Sequence, residues 1–141
     1  MNRRAFFFLA TFLLPLSSVN GALVLPSIFS DNMVFQRGQK VRVWGWDNPG
    51  QTVSVKAAGE TASWVSDSKG RWESALPVLS ADGSFEMVVE GSETLTIKNV
   101  VLGEVWLCSG QSNMEFTLQN SAEGKDEIPK ADRPTLRFFN V

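Results

Sequence analysis

The stretch Lys40-Val41-Arg42-Val43-Trp44-Gly45-Trp46 sets Val41, Val43 and Gly45 against Lys40, Arg42 and Trp44 with a period of two. Successive side chains of a β-strand point to opposite faces, so this alternation predicts a strand with one inward and one outward face. The pattern recurs downstream. Val53 and Val55 alternate with Thr52 and Ser54, Phe85, Met87 and Val89 with Ser84, Glu86 and Val88, and Leu95 and Ile97 with Thr94, Thr96 and Lys98. Between the runs lie Asp47-Asn48-Pro49-Gly50, Asp67-Ser68-Lys69-Gly70 and Ala81-Asp82-Gly83. Gly and Asn accept positive φ at little cost and Pro pre-sets φ, so these clusters punctuate strands. Closely spaced short strands with turn signals between them predict an antiparallel β-sandwich over residues 22–102.

Four tryptophans, Trp44, Trp46, Trp64 and Trp72, fall in this stretch. Indole faces suit both the stacking of sugar rings and the filling of a core, and the core use is the commoner one. Trp44 and Trp46 share a strand face and are the pair better suited to a sugar. Trp64 and Trp72 flank a hairpin and read as structural.

Working towards the N-terminus, Arg3 and Arg4 precede the apolar run Ala5–Leu16, and Ser17-Ser18-Val19-Asn20-Gly21-Ala22 follows it. The run is shorter than the ~20 helical residues that span a bilayer. A basic start, a short apolar run and a small-residue exit predict a signal peptide over residues 1–21, cleaved before Ala22. Export to the periplasm or the extracellular space is expected, with no membrane attachment after cleavage.

Composition removes several functional classes. The chain has 141 residues, 43% of them hydrophobic and 20% charged, which is ordinary globular usage. Its net charge is −2, and no block of Lys or Arg offers a surface for phosphates, so nucleic acid is not an expected partner. The single cysteine, Cys108, allows no intrachain disulfide. There is no histidine, the usual general base of serine hydrolases. No carboxylate or thiolate cluster has metal-ligand spacing, so no metal is expected, and no other cofactor is implied.

The chemistry lies in Gly103-Glu104-Val105-Trp106-Leu107-Cys108-Ser109-Gly110-Gln111-Ser112-Asn113-Met114-Glu115-Phe116. Val105–Cys108 reads as a short parallel strand buried on both faces. A serine just beyond such a strand sits where α/β sheets place their ligands. Gly110 permits a sharp turn before it, and a helix opening after it would favour a developing oxyanion. Ser112 is thus the candidate nucleophile. A Gly-x-Ser turn alone is weak evidence, and Met114 departs from the Gly-x-Ser-x-Gly nucleophile elbow, so a plain strand-to-loop turn stays open on these residues.

This block closely resembles the first block of the sialate O-acetylesterases and related secreted carbohydrate acetylesterases, within the SGNH hydrolase superfamily. Leu25-Pro26-Ser27-Ile28-Phe29-Ser30-Asp31-Asn32-Met33-Val34-Phe35-Gln36-Arg37, Val43-Trp44-Gly45-Trp46 and Gly70-Arg71-Trp72 resemble the same enzymes in the same order. The resemblance implies a β-sandwich domain (22–102) followed by the start of a flavodoxin-like α/β hydrolase domain (103–141). It also implies Ser112 as nucleophile, an acetylated carbohydrate (sialic acid or a polysaccharide) as substrate, and a His and acidic partner outside these 141 residues. The chain is therefore expected to be an N-terminal fragment, inactive alone. Asp126-Glu127-Ile128 and Ala131-Asp132 would belong to the first helical region, which Pro129 would break or shorten, and Leu136–Val141 to a second strand. The rival expectation is a carbohydrate-binding β-module without catalysis.

Overall fold

A computed structural model describes residues 21–140. The expected signal peptide lies almost wholly outside these residues. The fold is mostly β. Its strands are β1 (Val34–Gln36), β2 (Lys40–Trp46), β3 (Thr52–Ala57), β4 (Glu60–Val65), β5 (Arg71–Val78), β6 (Phe85–Glu90) and β7 (Thr94–Gly103). Five form a sheet in the order β1-β7-β6-β3-β4, and β2 pairs with β5 in a two-stranded sheet. Among the described residues no helix is long and apolar enough to cross a membrane.

Both sheets turn their apolar positions to one core. Val41 and Val43 of β2 and Trp72 and Leu76 of β5 meet Val53, Val55, Met87, Val89, Ile97 and Val100 of the larger sheet. The period-two positions read from sequence are the buried ones in β2, β3 and β6, except that Phe85 at the start of β6 is half-buried. Removing such side chains from water is the main stabilising term, about 25 cal/mol per Å² of apolar area.

Two departures from regular pairing have local causes. Lys40 pairs with Val78 but Val41 with Leu76, leaving Pro77 unpaired, and a proline has no N–H to give to a ladder. In β7, Ile97 pairs with Met87 and Val100 with Phe85, so β7 carries one extra residue. Asn99 lies there with φ of 54°, a left-handed conformation that asparagine tolerates better than most residues. The bulge returns Val100 to the core after Ile97, a three-residue step that simple alternation does not contain. The expectation of wholly antiparallel pairing is corrected by β1, which runs parallel to β7 through Val34↔Val101, Phe35↔Leu102 and Gln36↔Gly103. Three residues, Val34-Phe35-Gln36, are too short a run to show a period.

The turns follow their residues. The Asp67 carboxylate accepts from the N–H groups of Lys69 (2.8 Å) and Arg71 (2.9 Å), closing the turn by which β4 of one sheet passes to β5 of the other, so Trp64 and Trp72 flank a crossover and not the expected hairpin. Gly70 has φ of +78°, and a Cβ there would strike the carbonyl of Asp47. Glycine therefore meets two demands at this position. Asp47 is itself buried. Its carboxylate accepts from the N–H of Asn48 (2.7 Å) and of Ser92 (2.8 Å), tying the end of β2 to the β6–β7 turn.

On the outer face, Glu90 of β6 accepts from Lys56 Nζ at 2.8 Å and from Ser54 Oγ at 3.1 Å. These hydrogen bonds, with the charge of Lys56, hold its carboxyl below the usual carboxylate range. A depressed folded-state pKa gives stability that is present above the unfolded-state pKa and is lost as pH falls through the folded one. The stability difference between wild type and Glu90→Gln should therefore shrink on acidification from about pH 7 to below about pH 4. Denaturation midpoints across that range check this, and a difference that grows with acid would contradict it. The pair is exposed, so the effect is small.

Candidate active site

β7 delivers the chain to the segment that carries Ser112. Beyond Gly103 the path is held by β1. Gln36 Nε2 donates to Glu104 Oε2 at 2.9 Å, Gln36 Oε1 accepts from the N–H of Val105 at 2.8 Å, and Arg37 N–H donates to the Gly103 carbonyl at 2.8 Å. After Val105 these ties end.

The expected buried strand Val105–Cys108 is not formed. The segment is irregular, with Trp106 82% and Leu107 93% exposed. A parallel strand needs a hydrogen-bonded neighbour on at least one edge, and the β1–β7 ladder stops at Gln36↔Gly103. Cys108, expected to be a buried thiol in that strand, is exposed for the same reason.

Ser112 opens a 3₁₀ turn, Ser112–Glu115, preceded by Gln111 in extended conformation. Met114 N–H donates to the Gln111 carbonyl at 2.8 Å and Phe116 N–H to that of Asn113 at 3.2 Å. Gly110 packs under Met114, since a Cβ at Gly110 would lie 2.9 Å from Met114 Cγ. Gly110 has no positive φ, so what this position requires of glycine is room for Met114 and not the backbone freedom expected of it. Ser112 is exposed, as are Glu104 and Glu115, the carboxylates nearest to it in sequence. An exposed serine at the head of a tight turn is sterically open to an ester, but nothing in this segment supplies a base. Among the described residues no three His, Cys, Asp or Glu side chains gather as a metal site would require.

Downstream, Pro129 has the expected effect. The helix α1 (Gly124–Glu127) lasts one turn and passes into the 3₁₀ turn Ile128–Lys130. The expected strand Leu136–Val141 is irregular through Asn140, with Leu136, Phe138 and Phe139 exposed, for want of a strand beside it. Val141 is outside the described residues. Arg137 fastens this segment to the β structure by a contact that no periodicity announces. Its guanidinium donates to the carbonyls of Asn32 (3.1 Å), Met33 (3.2 Å) and Asn99 (2.6 Å), and to Asn99 Oδ1 (3.2 Å). Asn32 and Asn99 are both left-handed, and their side chains hydrogen-bond each other at 2.7 Å. A depression of about 530 Å³ opens beside this clamp, lined in part by Arg37, Asp82, Glu104 and Arg137, and Ser112 does not line it.

The tryptophans divide differently from expectation. Trp72 is 2% exposed and Trp44 is half-buried, edge-on to the Phe29 ring at 4.8 Å. Trp46 is 45% exposed. Trp64, expected to be structural, is 46% exposed and lies on β4, the last strand of its sheet, where almost every residue is exposed.

No protein-family model matches the chain. Curated relatives do. The sequence is 34% identical to human sialate O-acetylesterase and 30% identical to the mouse enzyme, each over 128 residues and 82% of this chain. The chain spans 24% of the length of those relatives. Among solved structures, a carbohydrate acetylesterase from Xanthomonas citri superposes with a TM-score of 0.74 at 34% identity, over 79% of this chain and 26% of that one. Agreement in sequence and in three-dimensional path together places the chain in the sialate O-acetylesterase family.

Proposed function

We propose that the full-length protein is a serine esterase that removes O-acetyl groups from a sugar, sialic acid or an acetylated polysaccharide, through an acetyl-Ser112 intermediate. The observation that carries this reading is the exposed Ser112 at the head of its turn, within a chain related to acetylesterases of carbohydrates. Ser112 Oγ attacks the acetyl carbonyl while a base takes its proton, the sugar alkoxide leaves with a proton, and water then releases acetate from the acyl-enzyme. The first N–H groups of the turn, that of Ser112 among them, have no partner within the turn and suit the tetrahedral oxyanion. The base in this proposal is the His that the family resemblance implies beyond residue 141, and the chain itself has none. The proposed steps require no metal or organic cofactor. The test is acetate release from acetylated sialosides and acetylated xylan by the full-length protein and its Ser112→Ala form.

The domain plan proposed with this function is a signal peptide (1–21), a β-sandwich (22–102) and the start of an SGNH-type α/β domain (103–141). The sandwich would close the seven strands around their common core, and the apolar segment after Gly103 would find its sheet partners in the hydrolase domain. The mature protein would then be periplasmic or extracellular and begin at or near Ala22. Sequencing the N-terminus of exported protein checks this, and an intact Met1 there would refute it.

A further inference from the structure

The outer face of the β2–β5 sheet has a composition that the esterase chemistry does not use. Antiparallel register sets Trp46 opposite Arg71, Trp44 opposite Glu73 and Arg42 opposite Ala75, and residues directly opposite share a face. Lys40 continues the exposed positions of β2. This face therefore holds Lys40, Arg42 and Arg71 against one acid, Glu73, on a chain whose net charge is −2. At about 3.4 Å per residue, Lys40 to Trp46 covers roughly 20 Å.

The strip is rigid. Glu73 lies between the two arginines, accepting from Arg42 Nε at 2.7 Å and lying 3.5 Å from Arg71 Nη2. Trp44 is braced by Phe29. The backbone of Trp46 is paired on both sides, with Arg71 in β5 and with Val24 through two hydrogen bonds of 2.9 Å. Its backbone is thus fixed while 45% of the residue is open to solvent, and the Arg71 side chain is 58% exposed beside it. An indole has only two side-chain torsions to order when it stacks, and a neighbouring guanidinium pairs with a carboxylate in a planar fork.

We infer that this face is a second, non-catalytic binding site for a carboxylate-bearing polysaccharide, with Trp46 stacking on a sugar ring and Arg71, Arg42 and Lys40 facing its carboxylates. The choice of a sugar over another polyanion rests on the esterase reading. The charge of the face selects acidic over neutral chains.

Affinity electrophoresis of the full-length protein through gels containing polygalacturonate, polysialic acid or neutral xylan tests the site and separates the two acidic sources. Retardation by at least one acidic polymer and none by xylan is expected. Trp46→Ala should weaken the apparent affinity roughly tenfold, equivalent to about 1.4 kcal/mol, with Arg71→Gln acting in the same direction. Both should still cleave 4-nitrophenyl acetate, whereas Ser112→Ala should keep its retardation and lose cleavage, so failure of either site is read apart from the other. Absence of retardation by both acidic polymers overturns the proposal. So does retardation that is unchanged in Trp46→Ala and abolished by salt, which reduces the face to diffuse charge. Melting curves accompany each variant, and the exposed Arg71→Gln decides the matter if Trp46→Ala does not fold.

Discussion

Ser112→Ala in the full-length protein should lower acetyl-ester turnover by roughly 10⁴–10⁶-fold, the range seen when the nucleophile of a serine hydrolase is removed. The loss should fall on kcat more than on KM, because the hydroxyl forms its bond to the acetyl carbon only as the reaction proceeds. The 141-residue chain by itself should also show almost no turnover, for a different reason. Its Ser112 is present and exposed, but a serine hydroxyl is a poor nucleophile at neutral pH without a positioned base, and the chain has no histidine. General-base help alone contributes about 10²–10⁴-fold. Substantial turnover by the short chain would refute the missing-base argument, and full activity in Ser112→Ala would remove Ser112 as nucleophile.

The largest effect on stability should come from Trp72→Ala. Trp72 is the largest fully buried side chain, in β5 where both sheets meet, and truncating such a residue typically costs about 3–5 kcal/mol through lost transfer energy and the remaining cavity. Against a total stability of about 5–15 kcal/mol that is enough to unfold much of the population at moderate temperature. Trp72→Phe should cost far less. It keeps most of the ring volume and removes Nε1–H, which has no hydrogen-bond partner among the described residues. The neighbouring Ser74 provides a matched case, since its Oγ is buried and equally without a partner, so Ser74→Ala should be neutral or stabilising. Urea denaturation of the three variants checks the order. An alanine at position 72 that leaves the midpoint unchanged would show that the two sheets do not share the core described above.

What the sequence determined by itself was the β character of the chain, because alternation is a local property: a run such as Lys40–Trp46 states its inward and outward faces wherever it is placed. The turn at Asp67–Gly70 was equally legible, as an aspartate that caps two N–H groups and a glycine at positive φ act within four residues. The Ser112 motif was legible as a string, and its turn formed within five residues of that string. Tertiary structure decided the rest. The parallel β1–β7 pairing joins residues 67 positions apart, and the bulge at Asn99 shifts the alternation so that Val100 faces inward. Arg137 found its carbonyls on two left-handed asparagines that no spacing rule connects to it. Val105–Cys108 shows the same point in reverse. Its composition is that of a buried strand, yet a strand exists only when a neighbour accepts its hydrogen bonds, and apolar residues without that neighbour stay in solvent.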